Sequence, residues 1–309
     1  MPAKCQRGFG WCDSEHQPKG YNTSEDARPV VGEVPYGQLI TKCTVPRTIA
    51  LTYDDGPTDN SGEILDILKE HQAKATFFVN GITDGKGPLD ETEKWKKVVQ
   101  RMHDEGHQVA SHTWSHRDLN KISTLDRKVE MVKLEQALDN ILDMYPTYMR
   151  PPYLQCSTDT GCQKDIGDLG YHLIGWSTDS TDWLHEGDLD AMTQATEAAI
   201  DGTDPSGNML LIQHDSIQLS AINLTRHILQ RTAEKGWHGE FRCPCESACI
   251  ADLTVYQQFQ WASALETIPT TGTANQTGRR QMPTQTQAQT KTLTHQNLSV
   301  LNIPLRLQE

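Results

Sequence analysis

No apolar run in this chain reaches the length needed to cross a membrane as a helix, so a membrane span is not expected. Positive charge is scarce as well. The 309 residues carry 28 Lys and Arg against 41 Asp and Glu, a formal net charge of −13. That balance disfavours nucleic acid and an anionic membrane surface as the main partner, since both demand basic patches. Neutral partners are left open. Paired CxxC motifs are missing too. Cys243-Pro-Cys245 is too tight for a finger knuckle and no second knuckle follows it, which excludes a zinc finger.

The cysteines that are present number eight: Cys5, Cys12, Cys43, Cys156, Cys162, Cys243, Cys245 and Cys249. An even count scattered through an acidic chain suggests disulfides and an oxidising compartment. Asn22, Asn223, Asn275 and Asn297 head N-x-[ST] triplets, which agrees with that setting. The opening MPAKCQRGFG lacks the apolar core of a secretory leader. Together these features point to a secreted or cell-wall protein whose leader is not part of this chain. Apolar residues make up 36%, with 7 Trp and 8 Tyr, enough to bury a core.

Residues 1–45 are rich in Gly, Pro and Cys with little periodicity, and read as an irregular extension held by disulfides. From about residue 47 strand and helix patterns alternate. RTIALTY is a strand, ended by DDGP. SGEILDILKEH is a helix with Ser61 near its N-cap and Ile64, Leu65 and Leu68 on one face. KATFFVN is the second strand. ETEKWKKVVQRMHDEG is a helix with Trp95, Val98, Val99 and Met102 at i, i+3, i+4 and i+7, stopped by Gly106. HQVAS is the third strand, followed by a long helix from Ser123, which with Asp126 resembles a capping box. TYMR, YHLIGW and NMLLIQ supply three more strands, and a short one is expected after Gly236. This alternation predicts a parallel α/β sheet, closed as a barrel or doubly wound, with chemistry at the C-terminal strand ends.

Every strand end but the second carries such chemistry. The first ends in Asp54-Asp55, the third in Ser111-His112-Thr113-Trp114-Ser115-His116, and the fourth in Arg150-Pro151-Pro152-Tyr153. Asp179 to Trp183 follow the fifth, and Gln213-His214-Asp215 end the sixth. His112 and His116, four apart, would lie on one side of a helical turn and reach one cation. With one carboxylate they form a two-histidine, one-carboxylate set that leaves positions open for water and substrate. The other aspartate would stay free as a base. Taken singly, DDGP suits a type I turn equally well and HxxxH suits a polar surface loop; the shared placement favours a site. Adjacent residues at a strand end diverge, so the two carboxylates would serve neighbouring points. Arg150 precedes Pro-Pro, hence lies in extended chain, and could pair with the free aspartate. His214 ends an apolar strand, and Asp182 could set its tautomer and raise its pKa.

In that order, TYDDGP, HTWSH, RPPY, DSTDW and LIQHD resemble the five motifs of the NodB-like polysaccharide deacetylases, carbohydrate esterase family four. VPYGQLITKCTVPRTIALTYDDGP, and RPPYLQC with a second Cys nearby, are most similar to the fungal chitin deacetylases. The resemblance runs from about Val45 to Trp237. It implies a distorted, incomplete (β/α) barrel with a metal in an open groove: zinc, with cobalt or another divalent ion as the alternative. By motif, Asp54 would be the base, Asp55, His112 and His116 the ligands, and Arg150 the group orienting Asp54. The Tyr153 backbone N–H would help form the oxyanion hole. His214 would be the acid, tuned by Asp182, and Trp183 and Leu211 would line the acetyl pocket. The implied reaction hydrolyses N-acetyl groups of chitin or chito-oligosaccharides.

Tyr53 stands where Phe is commoner in the first motif, and HGEFRCPCESACIADL stands where the family closes its barrel; a reading-frame error near residue 240 would account for the second departure. The expected organisation is an extension over 1–45, a catalytic domain over 46–250 and a disordered, Thr-, Gln- and Asn-rich tail over 251–309, acting as a monomer. Cys156–Cys162 would close a loop beside the site, and Cys43 could pair with Cys243 or Cys245. Rival readings are peptidoglycan or acetyl-xylan as substrate, a non-haem iron oxygenase, and a carbohydrate-binding protein without catalysis. The motifs surround the acetyl group rather than the polymer, so they do not separate the first two.

Overall fold

Nine consecutive residues, Thr48–Gly56, form the strand on which the sheet is built, and their side chains alternate between two apolar layers. The computed structural model describes residues 15–237, apart from positions 31, 84 and 205, together with Trp261–Ala262. In chain order the elements are β1 (Leu39–Ile40), β2 (Thr48–Gly56), α1 (Ser61–Glu70), β3 (Thr76–Val79), α2 (Glu93–Asp104) and β4 (Gln108–Ser111). Then come α3 (Thr124–Leu142), β5 (Tyr145–Pro146), β6 (Tyr148–Met149), α4 (Cys162–Asp168), β7 (His172–Ile174) and β8 (Thr178–Asp179). The series ends with α5 (Leu189–Gly202), β9 (Asn208–His214), α6 (Thr225–Glu234) and β10 (Trp261–Ala262).

Eight strands form one sheet in the order β1-β7-β6-β4-β3-β2-β9-β8, every pairing parallel. Among the described residues the two edges, β1 and β8, do not pair with each other. The sheet therefore curls into a half-barrel with its helices outside, the incomplete (β/α) barrel expected. Ile49, Leu51 and Tyr53 of β2 face the helix layer, with Ile64 of α1, Val99 of α2 and Leu134 of α3. Ala50 faces inward, in a smaller cluster with Phe78, Ala110, Tyr148 and Leu210.

The expected helices and strands are present, with instructive differences. Ser123 caps α3 as predicted: its hydroxyl accepts the Asp126 N–H (3.1 Å) and donates to the Asp126 carboxylate (2.9 Å). Ser61 does not cap α1 but is its first residue; its hydroxyl accepts the Thr58 N–H (2.7 Å) and donates to Asp215 (2.6 Å). Two edge strands, β1 and β8, went unpredicted because two residues show no period.

The segment read as an irregular extension joins the core. Its β1 pairs with β7, and Val34 and Cys43 fill the inner cluster. Arg28 donates to both oxygens of Glu135 on α3 (3.0 and 2.9 Å), and Thr23 and Tyr171 donate their hydroxyls to the same carboxylate. Cys156 and Cys162 are disulfide-bonded, as expected. Cys243, Cys245, the strand expected after Gly236 and the region of the suspected frame error lie outside the described residues, as does most of the expected tail. Within that tail, Trp261–Ala262 pair antiparallel with β5.

Glu135 is fully buried, and the Arg28 side chain is 13% exposed. Glu135→Ala leaves that guanidinium without its partner. The substitution should cost about 3 kcal/mol, the low end for breaking a buried pair. A urea midpoint equal to that of the wild type would show that the pair does not anchor the segment.

Candidate active site

In a regular strand Asp54 and Asp55 would point to opposite faces. Here the β2–β3 register shifts between Asp54 and Gly56, and Asp55 takes a left-handed conformation (φ 71°) that Asp tolerates better than most side chains. This bulge turns Asp55 back toward its neighbour. Asp54 Oδ2 lies 3.7 Å and Asp55 Oδ1 3.6 Å from the same nitrogen, Nε2 of His112. The expected divergence of adjacent residues is thus corrected: the carboxylates converge. The loop after them is held by Asp215, fully buried, which accepts hydroxyl bonds from Thr58 (2.5 Å) and Ser61 (2.6 Å). Burial pushes the Asp215 carboxyl up to about 6 despite those bonds.

Arg150 is completely buried at the end of β6. Its Nη1 donates to Asp54 Oδ1 and to Thr52 Oγ1, both at 2.7 Å. Its Nη2 donates to the Gly175 carbonyl (2.7 Å) and its Nε to that of Ile174 (3.2 Å), while the guanidinium lies 4.3 Å from the centre of the Phe78 ring. Asp54 is therefore buried but oriented through one oxygen.

The HTWSH loop brings its histidines together, but not on a helical turn. Thr113 (φ 70°) and His116 (φ 57°) are both left-handed, and the segment contains no helix. The two imidazoles pack edge to face at 4.9 Å. Nδ1–H of His112 donates to the Arg150 carbonyl (2.7 Å), which leaves Nε2 as the acceptor. Burial, then the neighbouring His116, pushes His112 down to about 3, so it is neutral as a ligand must be. His116 Nε2 lies 3.3 Å from Asp55 Oδ1. One donor atom from each of Asp55, His112 and His116 falls within 4.8 Å of the other two. Two imidazoles and one carboxylate at that spacing fit a divalent transition metal with positions left open.

Across β2 from Asp54 stands its register partner His214, at the end of β9. Asp182 accepts from His214 Nδ1 (2.7 Å) and from the His214 backbone N–H (2.7 Å), with Ser220 donating a third bond (2.5 Å). Burial alone would lower His214. The hydrogen bond and charge of Asp182 outweigh it and raise the imidazole to about 9. Burial likewise pushes the Asp182 carboxyl up, but His214 and Ser220 bring it below the usual carboxylate value.

Tyr153 (60% exposed) and Trp183 (53% exposed) are aromatic side chains open to solvent. The Tyr153 ring meets that of His116 edge-on at 4.7 Å, and the Trp183 indole N–H donates to Asp179 (3.3 Å). Leu211 does not line the site. It is buried in the helix-side layer with Leu51 and Tyr53. Side chains alternate along β9, so Ile212, two residues before His214, shares the histidine's face and Leu211 does not. Asn80, at the one strand end judged chemically empty, is fully buried and donates to the carbonyls of His112 (2.5 Å) and Thr113 (3.2 Å). Its place just after β3 was the available signal.

Comparison with known proteins agrees with this geometry. A family profile described as polysaccharide deacetylase matches residues 41–174. A chitin deacetylase of Colletotrichum lindemuthianum is 36% identical over 239 residues, covering 74% of this chain and 90% of that protein. A chitin deacetylase of a Pestalotiopsis species is 44% identical over 169 residues, 55% of this chain and 54% of the relative, so this chain spans about half of it. The solved Colletotrichum structure superposes with a TM-score of 0.62 at 36% identity, over 66% of this chain and 89% of that one. This chain belongs to the polysaccharide deacetylase family, the NodB-like carbohydrate esterases.

Proposed function

We propose that the enzyme hydrolyses N-acetyl groups from N-acetylglucosamine units of chitin, releasing acetate and leaving a free amine. The observation that carries this reading is the convergence of Asp54, on buried Arg150, with the Asp55–His112–His116 set and with His214. The two chitin deacetylase relatives support chitin as the polymer. The activity of those relatives also favours a secreted or cell-wall setting; among the described residues no helix is long and apolar enough to cross a membrane.

Asp55, His112 and His116 would hold zinc. A zinc ion there supplies Lewis acidity toward the acetyl carbonyl and makes water a stronger nucleophile at neutral pH. Asp54 takes the proton of the attacking water, its other oxygen fixed by Arg150. The backbone N–H of Tyr153 donates to the oxyanion that develops as the carbonyl becomes tetrahedral. His214, charged through neutral pH and held by Asp182, gives its proton to the departing amine as the carbon–nitrogen bond breaks. Trp183 and Ile212 would bound the acetyl methyl, Ile212 in place of Leu211.

The test is acetate release from chitin oligomers of graded length, beside peptidoglycan and acetyl-xylan, with chelator and with zinc restored. Activity should fall with chelator and return with zinc. Asp54→Asn should abolish turnover with zinc affinity kept, while Asp55→Asn should lose zinc affinity. Release from peptidoglycan or acetyl-xylan alone would contradict the chitin assignment, and turnover by Asp54→Asn would contradict the mechanism.

A second prediction concerns His214. The stabilisation of its charged form is complete below its unperturbed value of 6.5 and is lost as pH rises through about 9. Asp182→Asn removes the two largest raising causes and leaves burial opposed only by the weaker attraction of Asp54 and Asp55. In the metal-free protein the NMR titration of His214 should then fall to about 6.5 or below. An unmoved midpoint would show that Asp182 does not tune it.

A further inference from the structure

Thr113 and His116 hold left-handed conformations that are strained for a residue other than glycine, and persist only where their surroundings fix them. Three contacts fix them. Asn80 binds the carbonyls of His112 and Thr113, and Thr113 Oγ1 accepts the His116 N–H (3.1 Å). The third comes from Glu130, in the second turn of α3. Its Oε2 accepts the Ser115 N–H (2.7 Å), its Oε1 accepts the Ser115 hydroxyl (2.6 Å), and its carbonyl accepts the Trp114 N–H (3.1 Å).

The Glu130 carboxylate is 1% exposed, and both its oxygens are spent on a single residue, the one before His116. Stability alone is better served by an apolar side chain at such a position, as at Met131 and Leu134 beside it. The two histidines also differ in how their rings are held. His112 is tied through Nδ1 to the Arg150 carbonyl. His116 Nδ1 makes no hydrogen bond among the described residues; its ring packs between those of His112 and Tyr153, and its Nε2 lies 3.3 Å from Asp55 Oδ1. With no hydrogen bond at Nδ1, the place of the His116 imidazole depends on its backbone, and Glu130, through Ser115, is one of the contacts that hold that backbone.

We propose that Glu130 is a positioning residue for the metal centre: through Ser115 it fixes the His116 limb of the Asp55–His112–His116 set. This rests on the metal-site reading given above. Because Glu130 touches no ligand, its loss should register in metal affinity before it registers in the chemistry of the loaded enzyme.

The experiment measures zinc dissociation constants by competition with a chromogenic chelator, with melting temperatures of the metal-free proteins alongside. Glu130→Ala should bind zinc about tenfold more weakly, the low end of the range for groups that hold metal ligands. Glu130→Gln keeps one carbonyl oxygen for Ser115 and should recover part of that loss. Ser115→Ala removes only the hydroxyl bond and should weaken zinc by about threefold; with Glu130→Gln it carries the test if Glu130→Ala does not fold. Ile200→Ala, on the buried face of α5, supplies a control that lowers the melting temperature but should leave the zinc constant within about twofold of wild type. The proposal is overturned if the Glu130 variants bind zinc as wild type does, or if the control loses as much affinity for an equal fall in melting temperature. Asp55→Asn separates the two failures. If it binds zinc as well as wild type, the metal-site reading fails and this proposal with it; if it loses zinc while Glu130→Ala does not, only the role of Glu130 fails.

Discussion

The buried contact between Arg150 and Asp54 is the interaction on which the site depends. A guanidinium and a carboxylate out of water are each destabilising by several kcal/mol unless the geometry is good and the remaining donors are satisfied. Both conditions hold: Arg150 serves Asp54 and Thr52 on β2, then the carbonyls of Ile174 and Gly175 after β7. Its main-chain carbonyl sets the tautomer of His112. One residue thus orients Asp54 with its side chain and His112 with its backbone, so the two cannot move independently.

What separates the two aspartates is a backbone irregularity rather than a difference in residue type. The bulge after Asp54 brings the next carboxylate round to the same side, so Asp54 faces Arg150 while Asp55 faces both histidines. The half-barrel supplies the rest, because parallel strands put all their C-terminal ends on one rim. Asp54 on β2, His112 after β4, Arg150 after β6 and His214 on β9 meet there although up to 160 residues separate them. The neutral His112 and the charged His214 show how environment divides one residue type into two roles. Burial dominates the first, and a hydrogen-bonded carboxylate overrides burial in the second.

Much of this was legible in the sequence. Strand–helix alternation predicted the parallel sheet, and the polar residues at its strand ends lie together on one rim. The failures have physical causes. Leu211 was placed by motif resemblance, whereas strand alternation counted back from His214 selects Ile212. A bulge leaves no trace in composition, so the convergence of Asp54 and Asp55 was read as divergence. Asn80 and Glu130 went unassigned because each acts through backbone groups of a distant loop, a partnership no local period encodes. The docking of residues 15–45 hangs on Glu135, more than 100 positions away from Thr23 and Arg28.

The central claim is that the paired aspartates are divided between Arg150 and a metal. Anomalous diffraction at the zinc edge, from crystals of the intact protein soaked in zinc, tests it most directly. A peak among Asp55, His112 and His116 is expected, with Asp54 still on Arg150 and outside the ligand set. A peak coordinated by Asp54 in place of Asp55, with the Arg150 contact broken, would contradict it.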